Sequence, residues 1–205
     1  MILNPDEIER ESMRIIEILI SGKYSGSSEN LPVIKRVIHA TADFDFLETL
    51  YFSENVISKA HDAILSGTPI ITDTNMLKAG ISKTFTQKFG INIICHVNEP
   101  ETQESAQKLN LSRSIINIER AVKDFPRAIY AIGNAPTALI KLCELINEGL
   151  AYPALIIGVP VGFVNVIEAK EMLADLVNVP RIIANGRKGG SSVACAIVNA
   201  LLYSA

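Results

Sequence analysis

The sequence predicts one α/β domain over residues 1–205, with a mainly parallel sheet and helices on both of its faces. Three observations carry this. The 205 residues are 48% hydrophobic, and a chain of that size buries roughly 70% of the surface its unfolded form exposes, so no disulfide or metal staple is required. Short apolar runs without polar alternation recur at 69–72, 127–132, 154–159 and 181–184, the pattern of strands covered on both faces. Segments of helical spacing separate them, and no internal repeat or low-complexity linker divides the chain.

Asn4-Pro5-Asp6-Glu7 opens the first helix: Asn caps, Pro sits in the first turn, and Glu7 is placed to close a capping box. Ile8, Ser12, Ile15, Ile16 and Leu19 follow at helical spacing, which predicts an inward-packing face. Residues 22–30 are polar and rich in Gly and Ser, a surface loop. Pro32 starts a second helix, with Ile34, Val37, Ile38 and Thr41 on one face. Residues 48–52 read as a short strand, and Ser53 as the cap of a third helix that stops at Gly67. Strands are expected at 69–72 and 91–97, then a helical stretch over 102–123 broken near Asn110. A strand at 127–132 leads to Asn134, the expected cap of a helix over 135–148 that Gly149 ends. The rest reads as strand 154–159, helix 165–177, strand 181–184 and helix 191–203.

The formal charge of −3 argues against a general nucleic-acid binder, since phosphate neutralisation needs a basic surface. The N-terminal residues lack a basic stretch ahead of an apolar core, so no secretory leader is expected. The run from Ala154 to Val164 is interrupted by Gly158, Pro160 and Gly162 and falls short of the ~20 residues of a membrane span. Cys95, Cys143 and Cys195 are widely spaced, which points to a reducing compartment, the cytoplasm, and away from zinc. No pairing of His, Glu or Cys has metal-ligand spacing.

In a parallel sheet of this kind the ligand lies beyond the carboxyl ends of the strands. Those ends are 73–75, 133–135, 158–162 and 186–190, all rich in Gly, Pro, Asn or charge. The turn Gly186-Arg187-Lys188-Gly189-Gly190 leads into a helix N-terminus, where glycines admit an anion and free N–H groups meet it. With Arg187 and Lys188 it suits a carboxylate or phosphate; as a bare tight turn it would only solvate two charges. It spells neither a P-loop nor Gly-x-Gly-x-x-Gly. Asn134, in the turn before the 135–148 helix, is explained by capping alone. Asp73 is either a cap or a functional carboxylate. Ser12 interrupts an apolar stripe, and its hydroxyl either bonds back to its own helix or meets a ligand.

His39 is the leading candidate for proton transfer. Arg36 and His39 are three apart and share a helix face away from the apolar stripe, and imidazole is the side chain suited to moving protons near neutral pH. The plainer alternative is a surface His beside a surface Arg. His61 falls on or beside the buried stripe of its helix and reads as a core residue. His96 follows Cys95 on a strand, where neighbours point to opposite faces, so the two make no catalytic pair.

Taken together, Arg36-Val37-Ile38-His39-Ala40, Gly133-Asn134-Ala135-Pro136-Thr137-Ala138-Leu139, Ile157-Gly158-Val159-Pro160-Val161-Gly162-Phe163-Val164, Glu168-Ala169-Lys170 and Gly186-Arg187-Lys188-Gly189-Gly190 resemble the precorrin-8X (cobalt-precorrin-8) methylmutase family. The resemblance runs through nearly the whole chain. One departure is Ala42, where the family commonly has Gly soon after the His-Ala pair. The resemblance implies an isomerase of cobalamin biosynthesis that shifts a methyl group from C11 to C12 of the corrin macrocycle. Hydrogenobyrinic acid, or its cobalt complex cobyrinic acid, would be the product. It further implies no external cofactor, a homodimer, a cleft near the subunit interface and His39 as proton donor and acceptor. Ser12 and Arg36 would contact the substrate; Asp73, Asn134, Thr137, Arg187 and Lys188 would complete the site. The substrate is an apolar disc rimmed by carboxylates, which the glycine-rich strand ends and three cations suit. The competing class is a non-catalytic protein that binds a corrinoid or a nucleotide, and turnover separates the two.

Overall fold

The computed structural model describes residues 4–205; Met1-Ile2-Leu3, on which part of the leader reading rests, lie outside the described residues. Six strands form one sheet: β1 (Leu50–Phe52), β2 (Ile70–Thr72), β3 (Ile93–Ile94), β4 (Ile129–Ile132), β5 (Leu155–Gly158) and β6 (Arg181–Ala184). Their spatial order is β1-β6-β5-β4-β2-β3. All neighbours run parallel except β1, which pairs antiparallel with β6. The register sets Thr72 beside Ala131 and Ile132 beside Gly158, so the carboxyl ends of the central strands finish along one edge.

The helices are α1 (Pro5–Ile20), α2 (Leu31–Thr41), α3 (Phe46–Thr49), α4 (Val56–Leu65), α5 (Asn75–Gly80), α6 (Lys83–Lys88), α7 (Pro100–Leu109), α8 (Arg113–Asp124), α9 (Pro136–Asn147), α10 (Val166–Asp175) and α11 (Ser191–Ser204). Strand alternation divides the core into two layers. Ile129, Ala131, Leu155, Ile157, Ile182 and Ala184 face α2, α4 and α11. Tyr130, Ile132, Ile156 and Ile183 face α8, α9 and α10. No helix among the described residues is long and apolar enough to cross a membrane.

Most expected elements stand where the sequence puts them, and their ends have visible causes. The Asn4 side chain accepts from the Asp6 N–H at 3.0 Å, capping α1. Asn110 adopts φ 53° and separates α7 from α8, and the Ser112 hydroxyl caps α8 by accepting from the Ile115 N–H. Other expectations need correction. The Glu7 N–H bonds the Asn4 carbonyl, and no reciprocal side-chain bond closes a capping box among the described residues. The stripe of α1 is only partly covered: Ile16 is buried as expected, together with Ile20, while Ile8, Ile15 and Leu19 are exposed. Ser53 does not cap α4. Its hydroxyl accepts from the Arg181 N–H at 2.9 Å, because the antiparallel β1–β6 pairing lays it there, and α4 starts behind Asn55 at φ 55°. The strand expected over 91–97 shrinks to two residues, and residues 48–49 belong to α3. His61 is half-buried rather than in the core, with Nε2 2.9 Å from the Ser204 hydroxyl of α11.

Candidate active site

Helix α2 packs along α11 beside the N-terminal end of α11, and this contact organises the site. Arg36 and Ala40 of α2 line a cavity of about 350 Å³ with Met76 of α5 and with Ser191, Ser192 and Tyr203 of α11. The mouth is therefore apolar on one wall and polar at the start of α11. Arg36 is held from two sides. Its guanidinium lies 2.7 Å from the Glu9 carboxylate on α1 and 5.0 Å above the Tyr203 ring. His39 follows one helical turn later and is exposed, with no hydrogen-bond partner among the described residues. Val37 and Ile38 between them are buried, as the helical spacing requires. Ser12 lies one turn after Ile8, and its hydroxyl donates to the Ile8 carbonyl at 2.8 Å; the oxygen remains able to accept.

The strand-end turns converge on the start of α11. Thr74, beyond β2, meets the Ser191 hydroxyl at 3.0 Å. Gly133, beyond β4, lies so close to Ser191 that an added Cβ would come 2.8 Å from its Cα. The Gly190 N–H bonds the Val159 carbonyl beyond β5 at 2.9 Å. Gly189 has φ 156°, and a Cβ there would lie 2.1 Å from the Val159 carbonyl oxygen, so this approach needs glycine.

Asp73 is 1% exposed. Its two carboxylate oxygens accept the N–H groups of Gly133, Asn134 and Ala135 at 3.1, 2.7 and 2.8 Å. Burial holds its carboxyl above the ordinary carboxylate range, and the backbone N–H groups offset only part of that rise. Of the two readings of Asp73, the cap fits this geometry, but it caps a neighbouring helix, and Thr74 caps its own. The start of α9 is thus already occupied by a protein carboxyl group. Asn134, expected as that cap, instead projects to solvent with no capping bond. Thr137 is the second residue of α9, and its hydroxyl is 3.2 Å from that of Ser112, the cap of α8.

The cations of the 186–190 turn differ. Lys188 is paired with Asp43 and Asp45, at 2.6 and 2.5 Å. These partners hold its ammonium above the ordinary lysine range and hold Asp43 below the ordinary carboxylate range. The expectation of two free cations therefore narrows to one: Arg187 is exposed, and no side-chain partner is found for it among the described residues. Ala42 ends α2 in the left-handed region at φ 53°, the position where the resemblance leads one to expect glycine nearby.

Lys170 stands in the motif Glu168-Ala169-Lys170, but sequence reasoning gives it no role in the site. It is 3% exposed and donates to the carbonyls of Gly186 and Lys188 at 2.7 and 2.9 Å. Burial pulls its pKa down to about 8. The available signal was a lysine on the stripe of α10 that also carries Val166, Ala169 and Leu173.

The family model for precorrin-8X methylmutase matches residues 7–204. A cobalt-precorrin-8 methylmutase from Priestia megaterium is 41% identical over 97% of this chain and 88% of its own length. The one from Salmonella typhimurium is 39% identical over 98% and 96%. A crystal structure described as a precorrin-8X methyl mutase from Thermus thermophilus superposes with a TM-score of 0.87 at 37% identity, covering 96% of each chain. A match of this extent takes in α2, every strand-end turn and α11 together, and the chain belongs to the precorrin-8X methylmutase family.

Proposed function

We propose that this isomerase of cobalamin biosynthesis moves the C11 methyl group of a precorrin-8-type macrocycle to C12, with His39 as the proton donor and acceptor and residues 1–205 acting as one methylmutase domain. The observation that carries the reading is that exposed His39 sits on α2 between Arg36 and Ala40, both of which line a largely apolar cavity. A protonated His39 donates to the conjugated ring system and makes it electron-poor. The methyl–C11 bond breaks as the methyl–C12 bond forms, and His39 recovers a proton as the product's conjugation is set. Atoms and electrons balance within one molecule, so the step asks for no co-reactant.

The rim contacts are assigned by charge. Arg187 meets substrate carboxylates, and Arg36, held by the one exposed carboxylate of Glu9, exchanges it for the ligand. Ser12 and Asn134 add neutral polar contacts. Lys188 is held by two carboxylates, Asp73 by three N–H groups and Thr137 by Ser112, and these act behind them. A cavity of about 350 Å³ is at the small end of pockets for drug-sized ligands, about 300–1,000 Å³, and a corrin with its side chains is larger than such ligands. A homodimer whose second copy completes the cleft answers this. The exposed part of the α1 stripe and the exposed Phe163, 85% accessible beyond β5, support it. The three free cysteines support a cytoplasmic location.

The test is incubation of the purified chain with precorrin-8X and with cobalt-precorrin-8, followed by absorbance, since the shift alters conjugation. Conversion by the wild type and its loss in His39→Ala support the reading. No conversion of either compound by a folded dimer overturns it. Light scattering at micromolar concentration should give twice the chain mass.

A further inference from the structure

The turn between β6 and α11 has its carbonyl groups tied inward. Gly186 and Lys188 present theirs to the buried ammonium of Lys170, at 2.7 and 2.9 Å. The carbonyl of Arg187, between them, accepts from the Gly162 N–H at 3.3 Å. Three successive acceptors are thus consumed on the protein side. The N–H groups of Arg187, Lys188 and Gly189 have no partner among the described residues.

We propose that Lys170 is a positioning residue for substrate carboxylates: by holding the Gly186 and Lys188 carbonyls inward it leaves the outer side of the 186–189 turn with N–H donors and the Arg187 guanidinium alone. This rests on the reading above that the turn meets the carboxylated rim of the macrocycle. A peptide free to flip would offer a carbonyl to an incoming carboxylate and repel it. Lys170 removes that option without itself reaching the ligand, because it is buried. A lysine suits the task. Its ammonium carries three donors, and the neutral amine still carries two, one for each carbonyl. The turn is therefore held in either protonation state, which matters for a buried lysine with its pKa drawn down to about 8. Gly189 adds a second restraint, since its close approach to the Val159 carbonyl fixes the far end of the same turn. Lys188, tied to Asp43 and Asp45, fixes its side toward α2.

The experiment compares the full-length wild type, Lys170→Met and Arg187→Ala, using hydrogenobyrinic acid as the binding probe and the methyl shift as the activity. In the wild type, the probe should slow amide exchange at Arg187, Lys188 and Gly189 at least tenfold. Lys170→Met, assayed well below its melting temperature, should raise KM and the probe's Kd about tenfold while kcat stays within threefold, and the probe should no longer slow those three amides. A variant that was only less stable would keep the wild-type KM and the wild-type protection. That result overturns the role of Lys170, and a weakened Arg187→Ala would then leave the carboxylate reading of the turn standing. If the wild-type amides are not slowed and Arg187→Ala binds normally, the reading of the turn fails and the role of Lys170 with it. Should Lys170→Met not fold, the wild-type exchange decides: slowed amides support the inward-held carbonyls, and unaffected amides overturn them.

Discussion

Lys188 and Asp43 are joined at 2.6 Å across 145 residues of sequence, and this contact ties the turn before α11 to the end of the helix that carries His39. Asp45 meets the same ammonium. The two halves of the candidate site, the Arg36–His39 face and the glycine-rich turn, are thus held together by a small charged cluster in which two carboxylates surround one cation. The substrate rim is carboxylated as well, so the cluster shapes the site without adding attraction for the ligand.

Arg187 and Lys188 should therefore separate experimentally. Arg187→Ala removes an exposed cation with no competing carboxylate, and a charge-assisted contact contributes about 1.5–3 kcal/mol, roughly a tenfold to hundredfold loss of product affinity. Lys188→Ala removes a cation whose charge Asp43 and Asp45 already offset, and it should change affinity less than Arg187→Ala does. Isothermal titration of the two variants checks the order. Equal losses would mean that Lys188 leaves its aspartates to meet the ligand.

The contrast between these neighbouring cations shows what the sequence could carry. The strands β2, β4, β5 and β6 are legible because burial on both faces writes itself as an unbroken apolar run, and the break at Asn110 is legible because a left-handed residue between helices is a local event. Partners distant in sequence leave no such mark. Ser53 and Asn134 both look like helix caps from their neighbours, yet Ser53 is claimed by Arg181, 128 residues away, and the work expected of Asn134 is done by Asp73, 61 residues away. The α1 stripe shows which side of the helix is apolar and leaves open what covers it. Helices α3, α5 and α6 span four to six residues, too few for a 3.6-residue period to declare itself. That Arg36 and His39 share a face of α2 was legible because two residues spaced three apart on a helix are brought together by helix geometry alone.

Ala42 offers a direct test of local strain. It ends α2 at φ 53° while its N–H bonds the Ile38 carbonyl at 2.7 Å. A left-handed alanine costs roughly 1–2 kcal/mol, and part of this is offset by the greater freedom glycine has in the unfolded chain. Ala42→Gly should stabilise the protein by about 0.5–1 kcal/mol, a rise of roughly 1–4 °C in Tm for a domain of this size. Calorimetry decides, and a lower Tm would mean that the turn is not strained.

Lys170 gives the stability a pH signature. Its folded pKa is about 8 against the ordinary 10.5 of a solvated lysine, so between those two values the unfolded chain binds more protons at this site than the folded one. Stability attributable to Lys170 therefore rises with pH across that window, and the cost of burying its charge is fully present below about pH 8. The slope should vanish in Lys170→Met. Urea unfolding of both proteins from pH 7 to 10.5 measures it, and an identical pH dependence in the two would show that Lys170 titrates normally.

His39→Ala is the decisive substitution for the chemistry. The side chain is exposed and has no protein partner among the described residues, so its removal leaves no buried polar group unpaired and should move Tm little. Product binding should persist as well, because the apolar wall of the cavity, Arg36 and the 186–190 turn remain. Turnover should fall by about 10²–10⁴-fold, the usual contribution of a positioned acid or base. His61 and His96 serve as internal controls: the first is bonded to Ser204 and the second to Glu99, and neither is on α2, the helix that supplies Arg36 and Ala40 to the cavity. Replacing either should leave kcat near the wild-type value once the variant is folded. Near-normal turnover in His39→Ala would end the acid–base assignment.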